Sequence, residues 1–474
     1  MEVFTKLESL ISSQNTAVAS AAAVIAEIGS PAVSIAILDH GTIASRCIST
    51  VGGDSETLFQ PCSISKPITG MATMRLVQAG KLQLDSRIVE LLPDHIIRIL
   101  ETLHTKAITS SEPTSGITIS HFPGYSKDAP EIETILSGKA PTNTPQVKVE
   151  GLPGYALSYS GGGLIVLQII LEAVTGQDFP TLMKELVLDP LGMSRSYYAL
   201  EEGEESISKA HFTGYTPCDA QWHATPEMAA AGLWATPTDL LKAVRAIQQS
   251  LTGDTGEEFL KKEIAMEMLK EVQNTMALTW IVPKNAFVHS GSNTPGWECF
   301  LMGYKDLAGS SGDQELSDHQ KDIEDCGIAI MTNSAAGFTI WAKVFHAITY
   351  LKGWPSLPYT IGGSPVGKIP FCAYGVKIDE RWIDWMGSWL DQENEFVLES
   401  NGNEPVLRYG SNVVTRLVPA AIPSIEYAER ERSIDLVLEG LEMMIRLGWK
   451  DGKGGIELWY DGVPPRMLHL SRVD

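Results

Sequence analysis

Strand-forming and helix-forming segments are unevenly distributed along the chain, and their order constrains the fold more than any other feature. An apolar, β-branched run, Ala32-Val33-Ser34-Ile35-Ala36-Ile37-Leu38, meets the turn signal Asp39-His40-Gly41 and a second extended segment at Thr42–Thr50. Residues 31–50 are therefore predicted to form a β-hairpin. Strand signals return only at Phe287–Ser290, Glu298–Gly303 and Gly327–Thr332. Helical spacing fills the interval. It appears at 63–80 (Ile68, Met71, Met74, Leu76, Val77, ending at Gly80), at Leu164–Thr175 before Gly176, and at Pro237–Ser250, and it recurs at Phe338–Leu351. Strands, helices, strands and a helix, in that order, predict an α+β (mixed α/β) fold with a helical insertion inside a sheet domain.

The chain is long enough, at 474 residues, for two to four domains. Its densest Pro/Gly stretch, Gly353–Lys368, has the composition of a linker. Beyond it come short alternating runs such as Glu395–Leu398, Val413–Leu417 and Ile456–Tyr460. The expected division is a catalytic domain over 1–352, a linker over 353–379 and a small β domain over 380–474. The Ala-rich stretch Thr16–Ala26 is expected to be a first helix ending at Gly29-Ser30-Pro31. The acidic, polar stretch Ser310–Asp325 reads as a solvated surface excursion.

Charge narrows the partners. Lys plus Arg number 36 against 58 Asp plus Glu, a formal net charge of −22. Nucleic-acid binding depends on cationic side chains that displace counterions, so nucleic acid and anionic membrane are excluded as expected partners. No run of 18 uncharged apolar residues exists to span a bilayer. Glu2, Lys6 and Glu8 give the start a net acidity unlike that of a signal peptide. The six cysteines show neither C-x-x-C nor C-x-x-H spacing. They are expected to be buried free thiols in a reducing, cytoplasmic setting, with no metal site and no cofactor.

The tetrapeptide Ser63-Ile64-Ser65-Lys66 carries the chemistry. Residues three apart share a helix face, so Lys66 Nζ can reach Ser63 Oγ. The helix N-terminus beside Ser63 favours developing negative charge, and Pro67 is tolerated because a first-turn proline forfeits only an unpaired donor. The same spelling occurs at Ser206-Ile207-Ser208-Lys209. That copy follows a run of glutamates and precedes no apolar helix, so it reads as an exposed loop without function. Two further segments stand out. Tyr159 lies in Tyr155-Ala156-Leu157-Ser158-Tyr159-Ser160-Gly161-Gly162-Gly163, a glycine-rich helix entry. In His289-Ser290-Gly291-Ser292-Asn293 a strand ends in small residues that permit close backbone approach.

Taken in order, these segments resemble the serine β-lactamase and penicillin-binding protein superfamily, whose signature pairs S-x-x-K with a later K-T-G. Phe122-Pro123-Gly124-Tyr125, Asp189-Pro190-Leu191-Gly192-Met193, Ala231-Gly232-Leu233-Trp234 and Met331-Thr332-Asn333 reinforce the likeness, which covers about residues 20–350. It is nearest to the class C β-lactamase-like esterases, acyltransferases and D-aminopeptidases, some of which serve secondary metabolism. The resemblance implies an antiparallel sheet flanked by helices, a helical subdomain and a lipocalin-like β-barrel beyond residue 380. It also implies that Ser63 is the acylated nucleophile, Lys66 its base or proton relay, and Tyr159 a proton shuttle. The backbone N–H groups of Ser63 and Ser292 would form the oxyanion hole, with His289, Gly291 and Gly161 lining the substrate.

Such chemistry is demanding. A free lysine has a pKa of about 10.4 and is neutral in only about one molecule in 2,500 at pH 7, so its surroundings must favour the amine. Three departures from the family pattern bear on substrate. Gly161 stands where penicillin-binding enzymes use an asparagine that grips a substrate amide. His289 replaces a permanently charged lysine. Glu112-Pro113-Thr114-Ser115-Gly116 replaces the usual His-Thr-Ser-Gly loop. The first two shift the expected small-molecule acyl substrate toward an ester, thioester or lactone, hydrolysed or transferred. A D-amino-acid peptidase or amidase is the second expectation, and a non-hydrolytic or binding protein on the same scaffold the third.

Overall fold

The structure is a computed structural model. It describes residues 2–473 except 101–115, 152–154, 156–157, 201–202, 213–215, 254–257, 284, 306–322, 324, 356–359, 362–363, 366–368, 392–393, 403, 410–412, 423–425, 428–430, 451–452 and 461–465. Most of the expected loop at 112–116, most of the acidic stretch at 310–325 and parts of the linker at 353–368 lie outside the described residues. The chain divides into two compact units, one comprising Ile25–Trp341 with Ile361–Gly363 and the other Met1–Val24, Ala342–Thr360 and Ser364–Asp474.

The first unit is built on a five-stranded sheet of β1 (Ala32–Asp39), β2 (Thr42–Ser49), β3 (Ala286–Asn293), β4 (Trp297–Tyr304) and β5 (Gly327–Thr332). The spatial order is β2-β1-β5-β4-β3, with every neighbouring pair antiparallel. The predicted hairpin is present, with Ala32 opposite Ser49 and Asp39 opposite Thr42. β1 and β5 are buried along almost their whole length because they lie inside the sheet, which explains their unbroken apolar runs. β3 is an edge strand.

Helices Ser65–Gln78, Gly161–Thr175 and Pro237–Thr252 pack in one apolar core with residues of the sheet. Thr236 and Ser160 cap the last two through side-chain oxygens that accept from Asp239 and Gly163 backbone nitrogens, and Gly253 and Gly176 end them in the left-handed region. The Gly161–Thr175 helix begins three residues before the apolar periodicity does. Glycine is required in that first turn, since a Cβ on Gly162 would lie 2.2 Å from the Thr118 carbonyl oxygen. Among the described residues no single helix is long and apolar enough to cross a membrane.

In the second unit, residues 387–472 form a closed barrel of eight antiparallel strands. Alternate residues point inward, among them Phe396 and Leu398, Ile434, Leu436 and Leu438, Ile445 and Leu447, and Ile456 and Leu458. Trp382, Trp385 and Trp389 join this core, and Trp389 Nε1 donates to the Trp385 carbonyl oxygen at 2.9 Å. The N-terminal region differs from expectation. Helices occupy Glu2–Ser12 and Ala21–Ile28, and Thr16–Ser20 is irregular. Phe4, Leu7 and Ile11 supply an apolar stripe at helical spacing. Gln14 then exchanges two hydrogen bonds with the backbone of Cys372, at 2.8 and 2.9 Å, which ties this segment into the barrel unit.

Candidate active site

Ser63 lies in a single 3₁₀ turn, Cys62–Ile64, that leads directly into the Ser65–Gln78 helix. Cys62 enters the turn at φ 59°, a left-handed conformation that a non-glycine residue holds only where its surroundings fix it. Those surroundings are hydrogen bonds. Ser65 Oγ donates to the Cys62 carbonyl at 2.7 Å and accepts from Leu233 N at 3.1 Å. Cys62 Sγ and Cys299 Sγ both donate to the Gln60 carbonyl, at 3.0 and 3.2 Å. Burial, with Cys299 beside it, pushes the Cys62 thiol well up, so it is a protonated packing element and no nucleophile.

Lys66 Nζ donates to Ser63 Oγ at 2.9 Å and to the Ala230 carbonyl oxygen at 2.9 Å, and the side chain is only 4% exposed. The expected i, i+3 pairing of Ser63 and Lys66 is therefore present. The second acceptor comes from a short helix, Met228–Ala231, whose terminal carbonyls have no intrahelical partners. Ala229 O accepts from Thr69 Oγ1, Ala230 O from Lys66 and Ala231 O from Asn293 Nδ2. Nothing in the side chains of an alanine run announces this role.

The ring of Tyr159 stands over Lys66, with Nζ 5.0 Å from its centroid, and is 6.3 Å from the ring of His289. Tyr159 is partly exposed, so it is open both to the buried lysine and to solvent. His289 is buried, and its Nδ1 lies 2.6 Å from the Ser290 carbonyl oxygen. Burial, and secondly the charge of Lys66, push its pKa down to about 3. His289 is thus neutral near pH 7 and supplies no positive charge.

Gly291 and Gly161 are both close-approach positions. A Cβ on Gly291 would lie 2.4 Å from the Pro61 carbonyl oxygen and 2.8 Å from Cys62 Cβ, so β3 and the Ser63 turn touch through backbone. A Cβ on Gly161 would lie 3.0 Å from both the Phe122 ring and the Ser120 carbonyl oxygen. Val288 exchanges backbone hydrogen bonds with Ile281 across the outer edge of β3. Because backbone groups alternate sides along a strand, the N–H of Ser292, four residues on, points to that same open edge.

Ser206–Lys209 corrects an expectation. The segment is extended and half-buried rather than an exposed loop, because Leu58 N donates to Ser206 O and Ser208 N to Leu58 O, both at 2.8 Å. Extended backbone cannot stack residues three apart, so the second tetrapeptide has no lysine over its serine. It lines a separate cleft of about 700 Å³ with Thr57, Phe59 and His211. Two further acids were not singled out from sequence. Glu227 is fully buried with both carboxylate oxygens unbonded, and burial pushes its pKa up to about 7. Glu298, opposite Ser292 on β4, is also raised to about 7 by burial.

The Ser63 turn, a buried lysine on the serine oxygen and a tyrosine over that lysine stand at the edge of an antiparallel sheet, and the family model for β-lactamases matches residues 18–343. The chain belongs to the β-lactamase family. It has that family's serine-hydrolase-type fold, with a closed eight-stranded barrel added. Penicillin-binding protein 4 of Amycolatopsis lactamdurans is 24% identical over 313 residues, covering 62% of this chain and 77% of its own. The Unguisins hydrolase ungD of Aspergillus violaceofuscus is 21% identical over 94% of this chain and 76% of its own. Among solved structures, the octameric penicillin-binding protein homologue from Pyrococcus abyssi superposes with a TM-score of 0.54 at 19% identity, covering 99% of this chain and 100% of that one.

Proposed function

We propose that the protein is a serine acyl-enzyme hydrolase or acyltransferase acting on an ester, thioester or lactone. The observation that carries this reading is the 2.9 Å contact of Lys66 Nζ with Ser63 Oγ, at a buried lysine whose other acceptor is a backbone carbonyl. In the proposed cycle Ser63 Oγ attacks the acyl carbon while its proton passes to Lys66 in its neutral amine form. The tetrahedral oxyanion is held by the N–H groups of Ser63 and Ser292, donors of a kind worth roughly 3–4 kcal/mol each. As the C–O or C–S bond breaks, Tyr159 relays the proton to the leaving alcohol or thiol. Water or an acceptor hydroxyl then attacks the acyl-serine and returns the proton by the same path.

The relatives support the class of chemistry. Besides the hydrolase above, the Esterase EstB of Burkholderia gladioli is 29% identical over 170 residues, 33% of this chain and 42% of its own. For the barrel we propose a lipocalin-like module that packs and supports rather than carries a ligand, since Trp389, Phe396, Leu398 and Leu436 fill its core. The test is intact-mass detection of an adduct, located on Ser63 by peptide mapping, across matched esters, thioesters, D-peptides and β-lactams. Acylation by esters or thioesters is expected. An adduct on another residue, or none with any donor, would overturn the reading.

A further inference from the structure

We propose that Glu298 sets the charge of the substrate group lying along the edge of β3, admitting neutral or ammonium-bearing acyl compounds and excluding carboxylate-bearing ones. The inference rests on the acyl-serine reading above and adds a specificity residue to it.

The register places Glu298 of β4 between Ser292 of β3 and Thr332 of β5. Paired residues share a face of the sheet, so Glu298 lies on the face of the exposed Ser290 and Ser292, opposite to that of His289 and Gly291. Its stem is confined. The Thr332 hydroxyl donates to its carbonyl oxygen at 2.8 Å, and a Cβ on Gly337 would stand 2.9 Å from Glu298 Cβ. The carboxyl is near enough to Ser292 for that side chain to act on it, opposing the rise that burial causes. It is only half-buried, so a group bound beside Ser292 would feel it.

Among the described residues of the site, neither cationic candidate offsets this for an anion. Lys66 is sequestered, with its Nζ directed at Ser63 Oγ and Ala230 O. His289 is neutral. Glu298 acts electrostatically on Cys62, next to Ser63, and helps to raise its thiol. Its own neighbours, Ser292, Thr332 and the start of the Gly337–Lys352 helix, carry no charge. Burial pushes Glu298 up to about 7, so it is largely ionised above that pH and neutral well below it.

The experiment compares kcat/KM for p-nitrophenyl esters of one acyl chain ending in trimethylammonium, carboxylate or a neutral group. At about pH 8.5 the wild type is expected to favour the cationic over the anionic ester by about 30-fold or more, a size ordinary for partly buried charges 4–6 Å apart. Glu298→Gln should bring the ratio within about threefold of unity, and Glu298→Lys should invert it. Lowering the pH to about 5.5 should collapse the wild-type ratio without mutation, as Glu298 becomes neutral while both test charges persist. If Ser63 is labelled by a fluorophosphonate but the ratio is the same in wild type and Glu298→Gln, or insensitive to pH, this inference alone falls. If wild-type Ser63 is not labelled, the acyl-serine reading falls and takes the inference with it.

Discussion

A Cβ placed on Gly291 would stand 2.9 Å from the backbone nitrogen of Ser63. The edge of β3 and the Ser63 turn are therefore set by direct backbone contact. Gly291→Ala should destabilise the protein by about 1–3 kcal/mol through overpacking and slow Ser63 acylation by displacing the turn. Gly455→Ala, with nothing within 4 Å of the added carbon, is the control. Thermal melts and single-turnover acylation check both, and an unaffected Gly291→Ala protein would count against the contact.

The two identical tetrapeptides should behave differently. Only the Ser63 copy has its lysine on the serine oxygen, at 2.9 Å, while the Ser206 copy is extended backbone. Ser63→Ala is expected to abolish fluorophosphonate labelling and Ser206→Ala to leave it intact. Loss of labelling in the Ser206 variant alone would reverse the assignment.

Lys66 Nζ lies 5.0 Å from the Tyr159 ring centroid, and the proposed cycle puts the two side chains on one proton path. Lys66→Ala and Tyr159→Phe should each slow acylation by about 100-fold or more. The double variant should be far less impaired than the product of the two, because groups acting as a unit are non-additive. Multiplicative losses in stopped-flow acylation would show independent roles.

His289 gives the stability a pH dependence of defined sign. Its native pKa is depressed to about 3, against about 6.5 when unfolded. The unfolded chain therefore binds a proton that the native state refuses. The contribution is complete above the unfolded value and is lost as pH falls toward 3. Between about pH 6 and 4 this group should add a slope approaching about 1.4 kcal/mol per pH unit. Urea unfolding across that range should show a shallower slope for His289→Asn, and an unchanged slope would mean that the imidazole is protonated in the fold.

Gly161 bears on ester against amide. Without an amide-gripping side chain, a p-nitrophenyl or thioester donor should exceed a matched D-amino-acid amide in kcat/KM by about 100-fold or more. Gly161→Asn should narrow the ratio only if Phe122 yields, since the new Cβ meets its ring and the Ser120 carbonyl at 3.0 Å. Combining it with Phe122→Ala tests that. A wild-type preference for the amide would favour a D-amino-acid amidase.

Legibility in the sequence followed the kind of interaction involved. Ser63 and Lys66 could be paired from spacing alone, because helix geometry converts three residues into one face. The β1–β2 hairpin and β5 were equally readable from composition. The partnership of Ser292 with Glu298 was not, since it depends on strand register, which is a tertiary property. Ser206 misled for the same reason, as its extended shape is imposed by pairing with Leu58. A single cut near residue 353 likewise misses that Gln14 reaches across the sequence to Cys372. The roles of Gly161 and Gly291 were visible only as small residues, and the atoms that demand glycine come from other segments.

The three carbonyls of Ala229, Ala230 and Ala231 leave the site with a component that substitution hardly probes. Side-chain replacement there keeps every acceptor in place, so a conventional mutational scan would pass over the segment that orients Lys66, Thr69 and Asn293. Weakening an acceptor means altering the main chain itself, for example by replacing the peptide bond after Ala230 with an ester, whose carbonyl is the poorer acceptor. Relatives could therefore keep this bracket while sharing none of its letters, and alignments would score as variable a stretch whose conformation is held constant.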